Sequence, residues 1–219
     1  MTDRLLVIGN KNYSSWSLRV WFALVKTGLS FREERIALLS HHYKDRILEH
    51  SPAGKVPVLK DGDLVVWDTM AIIEYLAESF PALWPEDRAA RAWARSISAE
   101  MHAGFQALRS ELPMNLRATG RKVELSKHCQ ADIARIAEIW RDTRARFGAG
   151  GPWLFGAAPN AADAFFVPVA GRFRTYGVAP DATAEAYVQT VFADPDMQRW
   201  LADSIAEVEV MEAVERGRG

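Results

Sequence analysis

The chain changes rhythm once, at Pro81 and Pro85 in the stretch FPALWPED (Phe80–Asp87), and that change limits what it can fold into. Ahead of it, short apolar runs alternate with helical spacing; beyond it, strand patterning stops. LLVIG (Leu5–Gly9) is a compact β-prone run. In LRVWFALVKTGL, which follows, Val20, Leu24 and Val25 recur at helical spacing, and Gly28 offers a C-terminal stop. FREERIAL (Phe31–Leu38) alternates as a second strand does, and a strand–helix–strand unit normally makes a right-handed parallel pair. A short helix over HHYKDRILEH is closed by Ser51, Pro52, Ala53 and Gly54. VPVL and LVVW then flank Asp61-Gly62, a strong hairpin signal. After Trp67, DTMAIIEYLAESF places Met70, Ile73, Leu76 and Ala77 on one helix face. The expected order of βαβ, helix, hairpin and helix gives a small mixed sheet covered by helices.

Past the prolines the pattern is helical almost throughout. RAARAWARSISAEMHAGFQALRSEL (Arg88–Leu112) carries Ala92, Ile97, Met101, Phe105 and Leu108 along one side and reads as one helix. A second runs from Val123 to Phe147 and ends at GAGG (Gly148–Gly151). The expected architecture is an α/β domain over residues 1–80, a linker over 81–87 and an all-helical domain over 88–219. No internal repeat or low-complexity tract interrupts it.

Charge and cysteine content narrow the function. Lys+Arg at 27 against Asp+Glu at 28 leaves a net charge of -1, so no global basic field recruits nucleic acid or an anionic membrane. The N-terminal MTDRLLVIGN has an apolar run too short for a signal peptide and carries Asp3 ahead of it. No run of about 18 apolar residues is present, so a soluble, cytoplasmic protein is expected. Cys129 is the only cysteine, which rules out a disulfide within the chain; in LSKHCQADIARI it reads as an inert position on a helix. His41 and His42 are adjacent without further ligands, and no metal is assigned. Trp21, Trp93, Trp140 and Trp200 fall within helical patterns and read as core.

Three short stretches carry the candidate chemistry. NYSSWSLR (Asn12–Arg19) places three serines where the first strand gives way to the first helix. A helix N-terminus offers unpaired N–H groups and partial positive charge, so a serine there serves either as an N-cap or as a donor to a bound anion. Trp16, in the same loop, is the aromatic best placed to touch a ligand. In SPAGKVPVL, Gly54 permits a tight turn and Pro57 opens a strand. A cis Val56–Pro57 bond is uncommon, but it turns the Val56 backbone toward the helix N-terminus across a cleft, where an extended peptide can pair. Lys55, beside it, either neutralises a carboxylate or is a solvated charge. In WDTMAIIEYL, Asp68 and Thr69 are capping residues that can also hold an ammonium and a carboxylate.

Taken together, the serine loop, the K-V-P-V-L strand, the acid–hydroxyl pair and the appended helical region resemble the glutathione transferase family over essentially the whole chain. PNAADAFFVPV extends the likeness: Asn160 and Asp163 match that family's capping box, a structural device. The resemblance implies a thioredoxin-like N-terminal domain that binds glutathione and a helical domain that receives a small electrophile. It implies Ser14 as the residue that activates the thiol, with Ser15 beside it. Lys55, Val56 and Pro57 would hold the glycine carboxylate and cysteinyl backbone, and Asp68 and Thr69 the γ-glutamyl end. Met101, Phe105 and Arg109 share a helix face that lines the electrophile pocket or the domain interface. S-S-W-S is similar to the S-S-C-S loop of the zeta class, whose members isomerise maleylacetoacetate, with Trp16 in place of cysteine. In GRFRTYG, Arg172 and Arg174 suit a dicarboxylate. A homodimer is also implied. The alternatives are a zeta-type isomerase, a binding module without catalysis, or a thiol–disulfide oxidoreductase, which would need cysteine at position 14.

Overall fold

The computed structural model describes residues 4–218. Strands β1 (Arg4–Ile8), β2 (Arg32–Arg35), β3 (Val58–Asp61) and β4 (Leu64–Trp67) form one sheet in the order β2-β1-β3-β4. β2 is parallel to β1, whereas β3 runs antiparallel to β1 and β4 to β3. The mixed sheet and the hairpin at Gly62 (φ 60°) match expectation. β2 is shorter than expected because the chain turns away after Arg35, and the Leu38 N–H is taken by Asn10 Oδ1 at 2.8 Å.

Alternation along β1 divides the packing. Leu6 and Ile8 join the main core with α1 (Ser15–Lys26) and α3 (Thr69–Ser79), while Val7 faces Ile36, Val58 and Ile47 of α2 (Tyr43–Leu48). α1 starts three residues earlier than its apolar spacing suggests, because Ser14 caps it. Helices therefore cover both faces of the sheet.

The expected helix over Arg88–Leu112 is two helices, α4 (Arg88–Ala103) and α5 (Gln106–Glu111). Gly104 ends the first, and Phe105 enters the left-handed region at φ 61°. Arg109 folds back to donate to the Gly104 and Met101 carbonyls, so the terminal acceptors of α4 are satisfied without further helix. α6 spans Lys127–Phe147, shorter at its start than expected, since Ser126 caps it by accepting the Cys129 N–H at 3.1 Å. The Cys129 side chain is buried, and burial followed by Glu111 raises its thiol to about 11, far from a thiolate at neutral pH.

α7 (Ala161–Tyr176) is the axis of the helical region, with α8 (Ala182–Ala193) and α9 (Pro195–Ala206) beyond it. Every α7 residue except Arg174 is buried. Its start is the predicted box: Asn160 Oδ1 accepts the Ala162 N–H at 2.8 Å and Asp163 accepts the Asn160 N–H at 3.0 Å. α1 packs on both α3 and α7, so one apolar core runs from the sheet into the helices. Trp21, Trp140 and Trp200 are fully buried in it; Trp93 is partly buried and donates to Thr143 at 2.8 Å. No helix among the described residues is long and apolar enough to cross a membrane.

Candidate active site

The loop from Asn10 to Ser14 joins β1 to α1. Ser14 caps α1 by accepting the Ser17 N–H at 3.3 Å, and the two hydroxyls share a hydrogen bond of 2.8 Å. Ser17 Oγ in turn accepts the Gly9 N–H at 3.0 Å. Both readings of Ser14 are thus compatible: capping uses an oxygen lone pair and leaves one hydroxyl proton to direct.

Ser14, Gly54, Lys55, Val56 and Pro57 all line a cavity of about 930 Å³. The Val56–Pro57 bond is cis. Trp16, Asp68 and Thr69 are also on the cavity wall, as are Tyr43, Ile47 and Leu48 of α2. Lys55 is exposed and has no protein carboxylate as partner among the described residues. Asp68 caps α3 by accepting the Met70 N–H at 2.9 Å, and does so at φ 73°, a conformation L-residues rarely adopt. Thr69 is buried, its hydroxyl 3.5 Å from the Trp16 carbonyl, which ties the start of α3 to the first turn of α1.

Ser15, Met101, Phe105, Arg109, Arg172 and Arg174 are not on this wall. Ser15 is buried and accepts from Arg172 at 3.3 Å. Met101 and Phe105 belong to the core. Arg172 is buried among the carbonyls of Leu112 and Arg109, and that desolvation lowers it to about 9. Arg174 points elsewhere, donating to the Leu116 carbonyl at 3.1 Å and lying 4.8 Å from the Phe192 ring. Neither arginine of GRFRTYG lines the Ser14 cavity.

Sequence reasoning named Arg109 but not Arg19 or His102, which join it behind Trp16. The guanidinium carbons of Arg19 and Arg109 lie 4.5 and 5.1 Å from its ring centre, and His102 meets it edge-on at 5.1 Å. Arg19 is 1% exposed, yet its Nε and Nη1 have no hydrogen-bond partner among the described residues. Burial, reinforced by Arg109 and Arg172, holds it well below the usual arginine range, with Asp68 opposing. Burial also lowers His102, whose Nε2 is 3.6 Å from Asp68. The available signal was a single arginine at the start of the apolar run Leu18–Val25 of α1.

Residues 13–79 match the family model described as the N-terminal domain of glutathione S-transferase. Over 182 residues the chain is 30% identical to a maleylacetoacetate isomerase of Pseudomonas aeruginosa, covering 77% of this chain and 82% of that protein. Its fold superposes on a glutathione transferase homologue from Burkholderia gl BGR1 with bound glutathione, at TM-score 0.71 and 22% identity, over 94% of this chain and 100% of the other. A holo maleyl pyruvate isomerase, a bacterial glutathione S-transferase of the zeta class, superposes at TM-score 0.70 and 22% identity, again over 94% and 100%. The shared architecture is a thioredoxin-like N-terminal unit followed by helices.

Proposed function

The chain belongs to the glutathione S-transferase family, and on that premise we propose that it binds glutathione in the Ser14 cavity and holds its sulfur there as the thiolate. The observation that carries this is the convergence of Ser14, Lys55, Val56, Asp68 and Thr69 on one cavity. The Val56 backbone pairs with the cysteinyl residue of the tripeptide. Lys55 meets the glycine carboxylate, while Asp68 and Thr69 take the γ-glutamyl ammonium and carboxylate.

A free thiol has a pKa of about 8.5, so only a few per cent is nucleophilic at neutral pH. Lowering it by about 2 units needs roughly 2.7 kcal/mol of preference for the charged form. One charge-assisted hydrogen bond from Ser14 contributes about 1.5–3 kcal/mol and the α1 terminus up to about 1. The serine pair directs the proton. Gly9 N–H donates to Ser17 Oγ, and when the Ser17 hydroxyl is the donor in the hydrogen bond it shares with Ser14 Oγ, the Ser14 proton is left to point at the sulfur. Hydrogen bonds chained in this way polarise one another.

The relatives and the arginines favour a zeta-type isomerisation as the second reading. Arg19 and Arg109 place positive charge behind Trp16, with Asp68 and Asp132 as their counter-charges and Arg172 nearby on Ser15, which suits an anionic unsaturated substrate such as a maleyl dicarboxylate. Trp16 stands where the zeta loop has cysteine, so such chemistry would use glutathione sulfur alone. On either reading the protein is a cytoplasmic homodimer whose subunit divides at residues 81–87.

The test is calorimetric titration with glutathione, followed by assays against a neutral aryl halide and a maleyl dicarboxylate. Transfer consumes glutathione, whereas isomerisation returns it. Binding with neither activity makes the chain a binding module, and no binding removes the proposal. Lys55→Ala is expected to raise KM for glutathione about tenfold with kcat changed less than about twofold, since it removes one charge-assisted contact worth about 1.4 kcal/mol at an exposed position. Steady-state kinetics checks it.

A further inference from the structure

The last stretch of chain returns to the loop that carries Ser14. Where α9 ends, the Glu207 carboxylate accepts the Lys11 N–H at 2.6 Å through one oxygen and the Asn12 N–H at 3.0 Å through the other. Glu207 is 9% exposed. It does not line the cavity, so any effect on the site passes through the backbone.

Further contacts extend the same tie. Trp200 Nε1 donates to the Lys11 carbonyl at 2.9 Å. The Tyr13 hydroxyl donates to Glu215 at 2.6 Å and accepts from Arg117 at 2.6 Å, while Arg117 also donates to the Glu207 and Glu209 carbonyls. The charged neighbours that act on Glu207 are Arg35 and Glu209. Arg35 lies 3.6 Å away, and the Lys11 ammonium turns instead to Glu33 and Asp203. Two successive backbone N–H groups aimed at one anion fix both peptide planes. The next turn inherits that orientation, because Ser14 N–H donates to the Asn10 carbonyl at 2.8 Å.

We propose that Glu207 is a positioning residue: its carboxylate holds the Asn10–Ser14 loop so that the Ser14 hydroxyl meets the thiolate. The inference rests on Ser14 being the activating group. It assigns a catalytic consequence to a side chain nearly 200 positions away in sequence.

Glu207→Ala and Glu207→Gln test it, with Glu209→Gln as the control. Glu209 sits on the same segment and pairs with Arg35 at 2.8 Å, but gives the loop no side-chain contact. In Glu207→Ala, hydrogen exchange at the Lys11–Ser15 amides should rise about tenfold or more without spreading to the β3 and β4 amides. kcat should fall at least about tenfold with KM for glutathione within about threefold, and the bound thiol should titrate higher than in the wild type. Glu207→Gln keeps one acceptor and should recover part of each effect, which also serves if the alanine variant does not fold. Glu209→Gln should leave all three readouts unchanged. Unchanged loop exchange and kcat in a folded Glu207 variant would overturn the inference, as would a kcat loss that merely tracks the unfolded fraction. Faster loop exchange in a protein whose wild type does not bind glutathione supports the tie and removes the transferase reading instead.

Discussion

Ser14→Ala is expected to lower kcat about twentyfold at neutral pH while the Kd for glutathione stays within about threefold. The factor is the fall in thiolate fraction, from mostly ionised to a few per cent, as the bound thiol moves back up by nearly 2 units. Affinity should survive because, in the proposed binding mode, Lys55, Val56, Asp68 and Thr69 of the cavity meet parts of the tripeptide that carry no developing charge. The helix terminus remains, so the bound thiol should return most of the way toward about 8.5 rather than above it. Stability should also fall by about 1 kcal/mol, since the variant loses the cap that accepts the Ser17 N–H. Steady-state kinetics with calorimetric binding separates these effects. If turnover is unchanged, the activating role passes to Ser17, which shares the hydrogen bond; Ser15 faces Arg172 instead.

The second large effect is on stability. Asp163 is fully buried, and its carboxylate accepts from Asn160 N–H at 3.0 Å, Leu154 N–H at 3.2 Å and the Tyr187 hydroxyl at 2.9 Å. Asp163→Ala leaves those three donors without an acceptor. At about 1–3 kcal/mol for each unsatisfied buried group, with partial relaxation, a loss of about 4 kcal/mol is expected in urea unfolding at neutral pH. The pH dependence has a definite sign. Burial raises the Asp163 carboxyl from 3.8 to about 6, against the pull of its three donors and Arg144. A raised folded-state value means that this group's contribution is complete below the unfolded value and is lost as pH rises through about 6. Wild-type stability should therefore lose about 2–3 kcal/mol through this group between about pH 4 and pH 7, and Asp163→Asn should remove that slope.

Local pattern carried the sheet. The Asp61-Gly62 signal, the alternation of β1 and the Asn160–Asp163 box each specify geometry within a few residues, and each appears where its spacing places it. The break between α4 and α5 was hidden for the opposite reason. Apolar spacing continues smoothly from Met101 to Leu108, and the end of α4 depends on Arg109 reaching back to carbonyls a full turn or more away. The site divides along the same line. Ser14, Lys55, Val56, Asp68 and Thr69 are legible because loop, strand start and helix cap are local devices that the fold brings to one cavity. Arg19, His102 and Glu207 are not, since their meaning comes from long-range packing against Trp16 and the Asn10–Ser14 loop.

The most direct measurement is an ultraviolet pH titration of glutathione bound to the wild-type protein, following thiolate absorbance. A bound thiol that titrates about 2 units below its free value of about 8.5 is the predicted result. A thiol that binds but titrates at its free value would contradict thiolate stabilisation by Ser14 and the α1 terminus.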